Sequence, residues 1–291
     1  MVDTRRLEKF MNLGEPAGPE GQSRGAPNAP RNSLALSGHR DMRRSGQDRA
    51  AIAHRRSNID DNWTALSDHS RDPDPELQIR QFNLMARSTD IIARFDVLRT
   101  QLVQTFRNRK LVSLGVSAPR AGAGTSFVTA GLLASMARRA DLRVIGLDLN
   151  LRRPGLHRYF EIAPQVPVLD LLSGRVGPDT ALQRLTDTVA LAVGQPVAEM
   201  ALNTQFSADD LAVTVADLHD GYAPDLIICD LPPMLDGDMA LAICGHLDAM
   251  LLVADSQRNS SAEMAESERL LTGQAEFLGV VLNNYTGREL V

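Results

Sequence analysis

Residues 111–126 read LVSLGVSAPRAGAGTS, an apolar run followed by a loop of small residues. The apolar run predicts a buried strand, and the next residues, 127-FVTAGLLASMARR-139, predict an amphipathic helix. A strand, a glycine-containing loop and a helix start direct backbone N–H groups and the positive end of the helix dipole toward one point, where a phosphate group binds well. This stretch therefore predicts a phosphate-binding loop in an α/β fold, although a tight turn without a ligand shows the same pattern.

The end of this loop departs from the usual pattern. A complete P-loop ends in Gly-Lys followed by Ser or Thr, whereas this loop ends in Gly124-Thr125-Ser126 and contains no lysine. Gly122 and Gly124 still allow the backbone to approach a phosphate closely, and Ser126 stands where a hydroxyl ligates Mg²⁺. Because a charge-assisted contact contributes about 1.5–3 kcal/mol, its loss predicts weaker nucleotide affinity and a larger loss of catalysis. Arg120 either replaces the lysine in part or lies exposed in the loop.

Outward from the loop, the chain alternates between strand-like and helix-like segments. The strand-like runs are nearly continuous in apolar residues, which is typical of strands buried on both faces of a parallel sheet. The segments between them are long enough for crossover helices, and residues 77–107 add a helix before the first strand. We therefore predict a three-layer, doubly wound, mainly parallel sheet of the P-loop NTPase class over residues 76–291. The predicted strands are Leu111–Val116, Arg143–Asp148, Val189–Val193, Leu226–Asp230, Ala249–Ala254 and Leu278–Leu282.

Two of these strands end in an aspartate, Asp148 and Asp230. In open α/β sheets, ligands bind at the carboxyl ends of the strands. Asp230 is expected to hold Mg²⁺ through water, and Asp148 to orient a water molecule or a reacting hydroxyl. The predicted metal site therefore consists of Ser126, Asp148 and Asp230, and the two aspartates are the candidate catalytic residues.

The N-terminal quarter has a different composition. Residues 1–75 are rich in Arg, Asp, Ser, Gly and Pro and show weak apolar periodicity. Such a segment buries too little surface to offset its chain entropy, so we predict a disordered extension that is dispensable for folding. Residues 4–13 are a candidate helix, and residues 50–66, with the lone Trp63, form either a docking peptide or part of a solvated tail.

The overall composition narrows the choice of partner. Aromatic residues make up 4% of the chain and its net charge is −5. These values disfavour a stacking platform for single-stranded nucleic acid and an overall attraction to DNA, so we expect no nucleic-acid partner. No run approaches the roughly 18 apolar residues of a membrane helix, and the N-terminus lacks the apolar core of a signal peptide. We expect a cytoplasmic protein that reaches the inner membrane through a partner.

Three motifs resemble those of the bacterial tyrosine kinases that accompany capsule and exopolysaccharide assembly, a branch of the Min/Par-type P-loop ATPases. Residues 148–157, DLNLRRPGLH, are similar to the D-x-D-x-R-x-P-x-x-H segment of these kinases, and residues 230–233, DLPP, resemble their D-x-P-P Walker B motif. Residues 278–284 resemble their final strand, in which an asparagine meets the base. The resemblance covers about residues 90–285. It implies ATP or ADP and Mg²⁺ as weakly held ligands, with a candidate binding set of Arg120, Gly122, Gly124, Thr125, Ser126, Asn150 and Asn283.

The chain also departs from these kinases. Thr125 stands for their P-loop lysine and Asn150 for their second aspartate, and Tyr285 is alone where they carry a tyrosine cluster. Residues 95–102 look like the helix by which these kinases assemble into rings, yet only Arg99 is kept there. We expect Arg99 to contribute to a partner contact surface.

Three functions are consistent with these features. The resemblance and its departures favour a non-catalytic or weakly nucleotide-binding regulator of exopolysaccharide biosynthesis and export, which docks to a membrane polysaccharide co-polymerase and is a possible homo-oligomer. The alternative is an active Mg·ATP-dependent autokinase or ATPase of the same kind. A Par-type partition ATPase is disfavoured by the Arg-Arg-Pro-x-x-His motif of residues 152–157 and by the acidic net charge, while the arginine-rich residues 40–56 keep it as a third alternative.

Overall fold

The computed structural model describes residues 57–68, 89–198 and 207–285. Its strands are Ser67–Asp68 (β1), Ser113–Ser117 (β2), Val144–Asp148 (β3), Gln183–Arg184 (β4), Val189–Ala192 (β5), Leu226–Asp230 (β6), Ala249–Asp255 (β7) and Glu276–Asn283 (β8). Its helices are residues 57–65 (α1), Thr89–Arg109 (α2), Thr125–Ala137 (α3), Leu156–Tyr159 (α4), Val168–Leu172 (α5), Pro178–Ala181 (α6), Ala208–Tyr222 (α7), Met239–Cys244 (α8) and Ser261–Leu271 (α9).

The strands form one mainly parallel sheet in the order β1-β4-β5-β3-β6-β2-β7-β8. Every neighbouring pair is parallel except β4 and β5. The doubly wound sheet predicted from the sequence is thereby confirmed, and a strand is present at each of the six predicted runs. Strands β1 and β4 lie outside those runs because each has only 2 residues, too few to show an apolar pattern.

Apolar side chains pack on both faces of the sheet and so produce three layers. Successive residues of a strand point to opposite faces, which allows each central strand to contribute to both cores. On one face, α2 and α3 cover the sheet through residues such as Leu98 and Leu132. On the other face, α7, α8 and α9 contribute Leu211, Ile243 and Leu271. The central strands are therefore held between two helical layers, and their carboxyl ends present a rigid edge.

Helices α2 and α3 pack closely, and a charged side chain lies between them. A Cβ atom at Gly131 would lie 2.3 Å from Cζ of Phe95, so glycine is required for this approach. Arg99 donates from Nη1 to Oδ1 of Asp96 at 2.8 Å and to the backbone oxygen of Ser135 at 2.9 Å. Its side chain is 13% exposed. The side chain therefore joins two helices of its own domain, and its expected role in a partner contact surface stays a prediction.

The predicted N-terminal disorder is wrong for residues 57–68. Trp63 is 3% exposed and packs in one of the two cores together with Leu66. Its Nε1 donates to the backbone oxygen of Asp187 at 2.8 Å, and the guanidinium carbon of Arg143 lies 4.9 Å from its ring centre. One large aromatic side chain thus buries enough apolar surface to hold a short segment whose composition is otherwise polar.

The same segment extends the sheet, because β1 pairs in parallel with β4. The predicted domain boundary near residue 75, the candidate helix at 4–13 and the start of the helix predicted from residue 77 all lie outside the described residues. Within the described ranges, no helix combines the length and the apolar composition needed to cross a membrane.

Candidate functional site

The phosphate loop lies between β2 and α3 and is shaped by two glycines. Gly122 has φ 87° and Gly124 has φ 94°, in the left-handed region that favours glycine. A Cβ atom at Gly124 would lie 2.2 Å from Nδ2 of Asn283. That amide donates to the backbone oxygen of Ala123 at 2.8 Å, so the last strand holds the loop in place. The predicted nucleotide residue Asn283 thus contacts the loop itself.

Helix α3 begins at the end of this loop. Thr125 is its first residue, and Val128 donates to the backbone oxygen of Gly124 at 3.0 Å in the first helical turn. The first N–H groups of a helix have no acceptor within the helix, and the helix dipole makes this end attractive to anions. Thr125 and Ser126 both line the adjacent cavity, as the sequence predicted for residues at a phosphate.

The two predicted aspartates lie opposite each other on neighbouring strands. Asp148 of β3 is the register partner of Asp230 of β6, and both residues are fully buried. Oδ2 of Asp148 accepts the N–H groups of Gly155 and Leu156, both at 3.0 Å. Oδ1 of Asp148 and Oδ2 of Asp230 have no hydrogen-bond partner. Each carboxylate thus retains one buried oxygen for a further ligand.

Burial dominates the electrostatics of this pair. It raises the pKa of Asp148 to about 6, although backbone N–H groups, including those of Leu156 and Gly155, lower it in part. Burial and the nearby charge of Asp148 raise the pKa of Asp230 well above its usual value, while the hydroxyls of Ser126 and Thr129 act in the opposite direction. Two buried carboxylates that face each other on neighbouring strands are both ionised at low cost only beside a cation.

Ser126 completes the predicted metal set. A Cβ atom at Gly155 would lie 2.6 Å from Ser126 Oγ, so the segment after β3 passes directly over this hydroxyl. Mg²⁺ prefers oxygen ligands and is usually bound by one or two carboxylates together with phosphates and water. The serine hydroxyl and the unpartnered carboxylate oxygens of Asp148 and Asp230 fit this ion. Among the described residues, no cluster of three or more His, Cys, Asp or Glu forms an alternative metal site.

A cavity of about 720 Å³ opens beside the loop. Its volume lies within the roughly 300–1,000 Å³ of small-molecule and cofactor sites. Asn150, a predicted nucleotide residue, lines it together with three arginines, Arg152, Arg153 and Arg158. Arginine guanidinium groups match phosphate oxygens in geometry and charge. The cavity is therefore chemically suited to a phosphorylated ligand.

Arg120 occupies a different position from a P-loop lysine. Its Nη1 donates to Oδ1 of Asp236 at 2.9 Å, and its Nε donates to Oε1 of Glu263 at 3.1 Å. These hydrogen bonds raise the pKa of the guanidinium group, those to Asp236 and then Glu263 having the largest effect. The only cation of the loop sequence is thus directed toward two carboxylates of its own chain.

Two residues near the loop were not predicted from the sequence. Asp236 accepts the loop N–H of Ala121 at 3.0 Å. Nη1 of Arg258, whose side chain is 71% exposed, lies 3.0 Å from the position of a Cβ atom on Gly122. Both residues follow strand ends, β6 and β7, and this position is the signal that could have identified them.

No protein-family model matches the chain. It is 29% identical over 171 residues to the tyrosine-protein kinase ptk of Acinetobacter johnsonii, covering 58% of this chain and 22% of that protein. It is 29% identical over 234 residues to the putative tyrosine-protein kinase EpsB of Ralstonia solanacearum, covering 75% and 30%. It is 23% identical over 212 residues to the succinoglycan biosynthesis transport protein ExoP of Rhizobium meliloti, covering 67% and 26%. The chain thus matches less than a third of the length of each of these relatives.

Solved structures show the same relationship at the level of the fold. The kinase domain of the Escherichia coli tyrosine kinase ETK superposes with a TM-score of 0.59 at 23% identity, over 68% of this chain and 76% of that one. Cobyrinic acid a,c-diamide synthase of Mycobacterium smegmatis, with a bound ATP analogue and magnesium, superposes with a TM-score of 0.52 at 21% identity, over 62% and 77%. The homologues of the chain are therefore bacterial tyrosine kinases of the capsule and exopolysaccharide type, and its fold is the Min/ParA-like P-loop fold.

Proposed function

Starting from this homology to bacterial tyrosine kinases, we propose that the chain is a nucleotide-binding regulator of exopolysaccharide biosynthesis and export with little or no phosphoryl-transfer activity. One observation carries the proposal: Thr125 occupies the first position of α3, where a P-loop has its lysine, after a loop whose two glycines have left-handed φ angles. Shape supports binding of phosphates, whereas the missing ammonium removes a main contributor to catalysis.

Several features of the structure support the binding of a nucleotide. The loop and the start of α3 offer backbone N–H groups to phosphates, and the 720 Å³ cavity beside them has room for the rest of a nucleotide. Ser126, Asp148 and Asp230 would hold Mg²⁺, which neutralises phosphate charge when it is bound. The arginines along the cavity add positive charge that the acidic chain lacks overall.

The catalytic half is incomplete. A P-loop lysine reaches the β- and γ-phosphates and stabilises the charge that develops during phosphoryl transfer. Thr125 carries no charge, and Arg120 donates instead to Asp236 and Glu263. The loss of one charge-assisted contact, about 1.5–3 kcal/mol, corresponds to roughly one to two orders of magnitude in affinity. We expect a larger loss in turnover, because the lysine acts most strongly on the transition state.

Regulation also requires a partner that responds to the bound state. We propose a membrane polysaccharide co-polymerase, which the chain contacts from the cytoplasmic side. The support is homology to kinases and to a succinoglycan biosynthesis transport protein. The chain matches less than a third of the length of each of these longer proteins.

The test separates binding from turnover in the purified full-length chain. Titration calorimetry with ADP should give saturable, Mg²⁺-dependent binding, and Asp230→Asn should weaken the Mg²⁺ dependence. Phosphate release from ATP should not exceed that of Asp230→Asn. Turnover of about 1–100 s⁻¹, typical of kinases, would contradict the regulator and favour the active autokinase or ATPase, which the retained set of Ser126, Asp148 and Asp230 would then serve. Absence of nucleotide binding would contradict both.

A further inference from the structure

The phosphate loop already carries an anion that belongs to the chain. Oδ2 of Asp236 accepts the N–H of Ala121 at 3.0 Å, and Oδ1 accepts Nη1 of Arg120 at 2.9 Å. Asp236 lies in the segment between β6 and α8 and lines the candidate nucleotide cavity. A carboxylate therefore occupies one of the backbone donors that a phosphate loop otherwise offers to its ligand.

A second carboxylate secures this arrangement. Nε of Arg120 donates to Oε1 of Glu263 at 3.1 Å, and its Nη1 also donates to the backbone oxygen of Leu235 at 2.9 Å. Oε2 of Glu263 accepts the N–H of Ser260 at 3.0 Å, which closes the capping box at the start of α9. Arg120 thus joins the loop to the segment before α8 and to the first turn of α9.

The charge of this cluster opposes a phosphate ligand. One guanidinium group faces two carboxylates, so Arg120, Asp236 and Glu263 together have a formal charge of −1. A lysine in the loop would bring this local charge to zero. An entering phosphate must therefore either displace Asp236 from Ala121 or bind beside it without that N–H group.

We propose that Asp236 is a tethered competitor for the phosphate loop, and that it selects against ligands with more phosphate charge. A nucleoside diphosphate is then favoured over a nucleoside triphosphate, since each added phosphate increases the repulsion from the same carboxylate. The inference rests on the proposed nucleotide site and adds to it the residue that determines which phosphate ligands the site accepts.

The experiment compares two neutralising substitutions in the full-length chain. Asp236→Asn removes the competing charge, and Asp238→Asn makes the same change at an exposed position outside the cavity lining. Dissociation constants for ADP, ATP and inorganic pyrophosphate are measured by titration calorimetry with Mg²⁺ present. We expect Asp236→Asn to tighten ATP by about tenfold and ADP by about threefold, which reduces the preference for the diphosphate. Asp238→Asn should change each value by less than about twofold.

A second variant covers the case in which an asparagine oxygen still accepts the Ala121 N–H. Asp236→Ala removes both the charge and the acceptor, so its gain should equal or exceed that of Asp236→Asn. Wild-type binding of ADP with unchanged ATP:ADP affinity ratios in both Asp236 variants would overturn the inference and leave the proposed function standing. Failure of the wild type and of both Asp236 variants to bind any of the three ligands would overturn the proposed function as well.

Discussion

Asn283 donates from Nδ2 to the backbone oxygen of Ala123 at 2.8 Å, and this bond connects the last strand of the sheet to the phosphate loop. The same nitrogen lies 2.2 Å from the position of a Cβ atom on Gly124. The amide therefore limits the loop in two ways: it anchors the carbonyl of one residue and leaves no space for a side chain on the next.

The first prediction concerns this close approach. Gly124→Ala should lower the free energy of unfolding by about 2–4 kcal/mol, because it combines a left-handed backbone with a steric clash. Gly174→Ala is the matched control: its φ is 67°, but nothing lies within 4 Å of its Cβ position. It should lose about 1 kcal/mol. Urea denaturation gives both values. Combining Gly124→Ala with Asn283→Ala should recover part of the loss, and strict additivity of the two losses would refute the clash.

The second prediction concerns the N-terminal segment. Trp63→Ala should cost about 3–5 kcal/mol, as expected for a buried tryptophan, because its ring packs in the core and its Nε1 bonds Asp187. Asp61→Ala, at an exposed position of the same helix, should change stability by less than about 0.5 kcal/mol. Thermal unfolding followed by circular dichroism compares them. Equal melting temperatures for the two variants would contradict a contribution of Trp63 to stability and would favour a dispensable N-terminal segment.

The third prediction concerns the buried aspartate pair. In metal-free buffer at neutral pH, Asp230→Asn should stabilise the chain by about 1–3 kcal/mol, since a buried amide neither carries a charge beside Asp148 nor has to take up a proton. Mg²⁺ with ADP should stabilise the wild type, and the variant should lose most of this increment. Melting temperatures with EDTA and with Mg·ADP provide the comparison. A variant that is less stable than the wild type in EDTA would show that repulsion is not the dominant effect.

The fourth prediction restores the missing charge. Thr125→Lys should tighten ADP binding by about ten- to a hundredfold, because the first residue of α3 would lie beside the phosphates of a nucleotide at the proposed site. Thr125→Met supplies a long side chain without charge and should leave the dissociation constant within about threefold of the wild type. If both variants bind ADP more tightly by the same factor, the effect comes from packing and not from charge, and the assigned register of the loop is wrong.

The fifth prediction separates packing from partner contact on α2. Arg99→Glu should cost about 1.5–3 kcal/mol, because the guanidinium group bonds both Asp96 and Ser135. Val97→Asp, on the exposed side of the helix with 47% of the residue accessible, should be nearly neutral in the free energy of unfolding. Chemical denaturation of the two purified variants measures both free energies of unfolding. Only the neutral variant is then suitable for testing recruitment to membranes.

The sequence predicted the features that depend on residues close together along the chain. Strands β3, β6 and β7 are continuous apolar runs, and Asp148 and Asp230 follow directly from their position at strand ends. Asp236 was out of reach because its contact with Ala121 joins residues 115 positions apart, across a loop of no regular pattern. The burial of Trp63 was not predicted for a related reason. A single aromatic side chain in a polar segment has no periodicity, and its burial depends on a pocket that distant residues build.

Strand β1 has a consequence for how the molecule meets its neighbours. A sheet edge offers unpaired backbone groups to any other chain, and natural proteins limit this exposure with very short edge strands. Among the described residues, this side of the sheet ends in the 2-residue β1, which pairs with the 2-residue β4. Residues 57–68 thereby supply a very short edge strand, which disfavours edge-to-edge pairing between two copies of the sheet on this side.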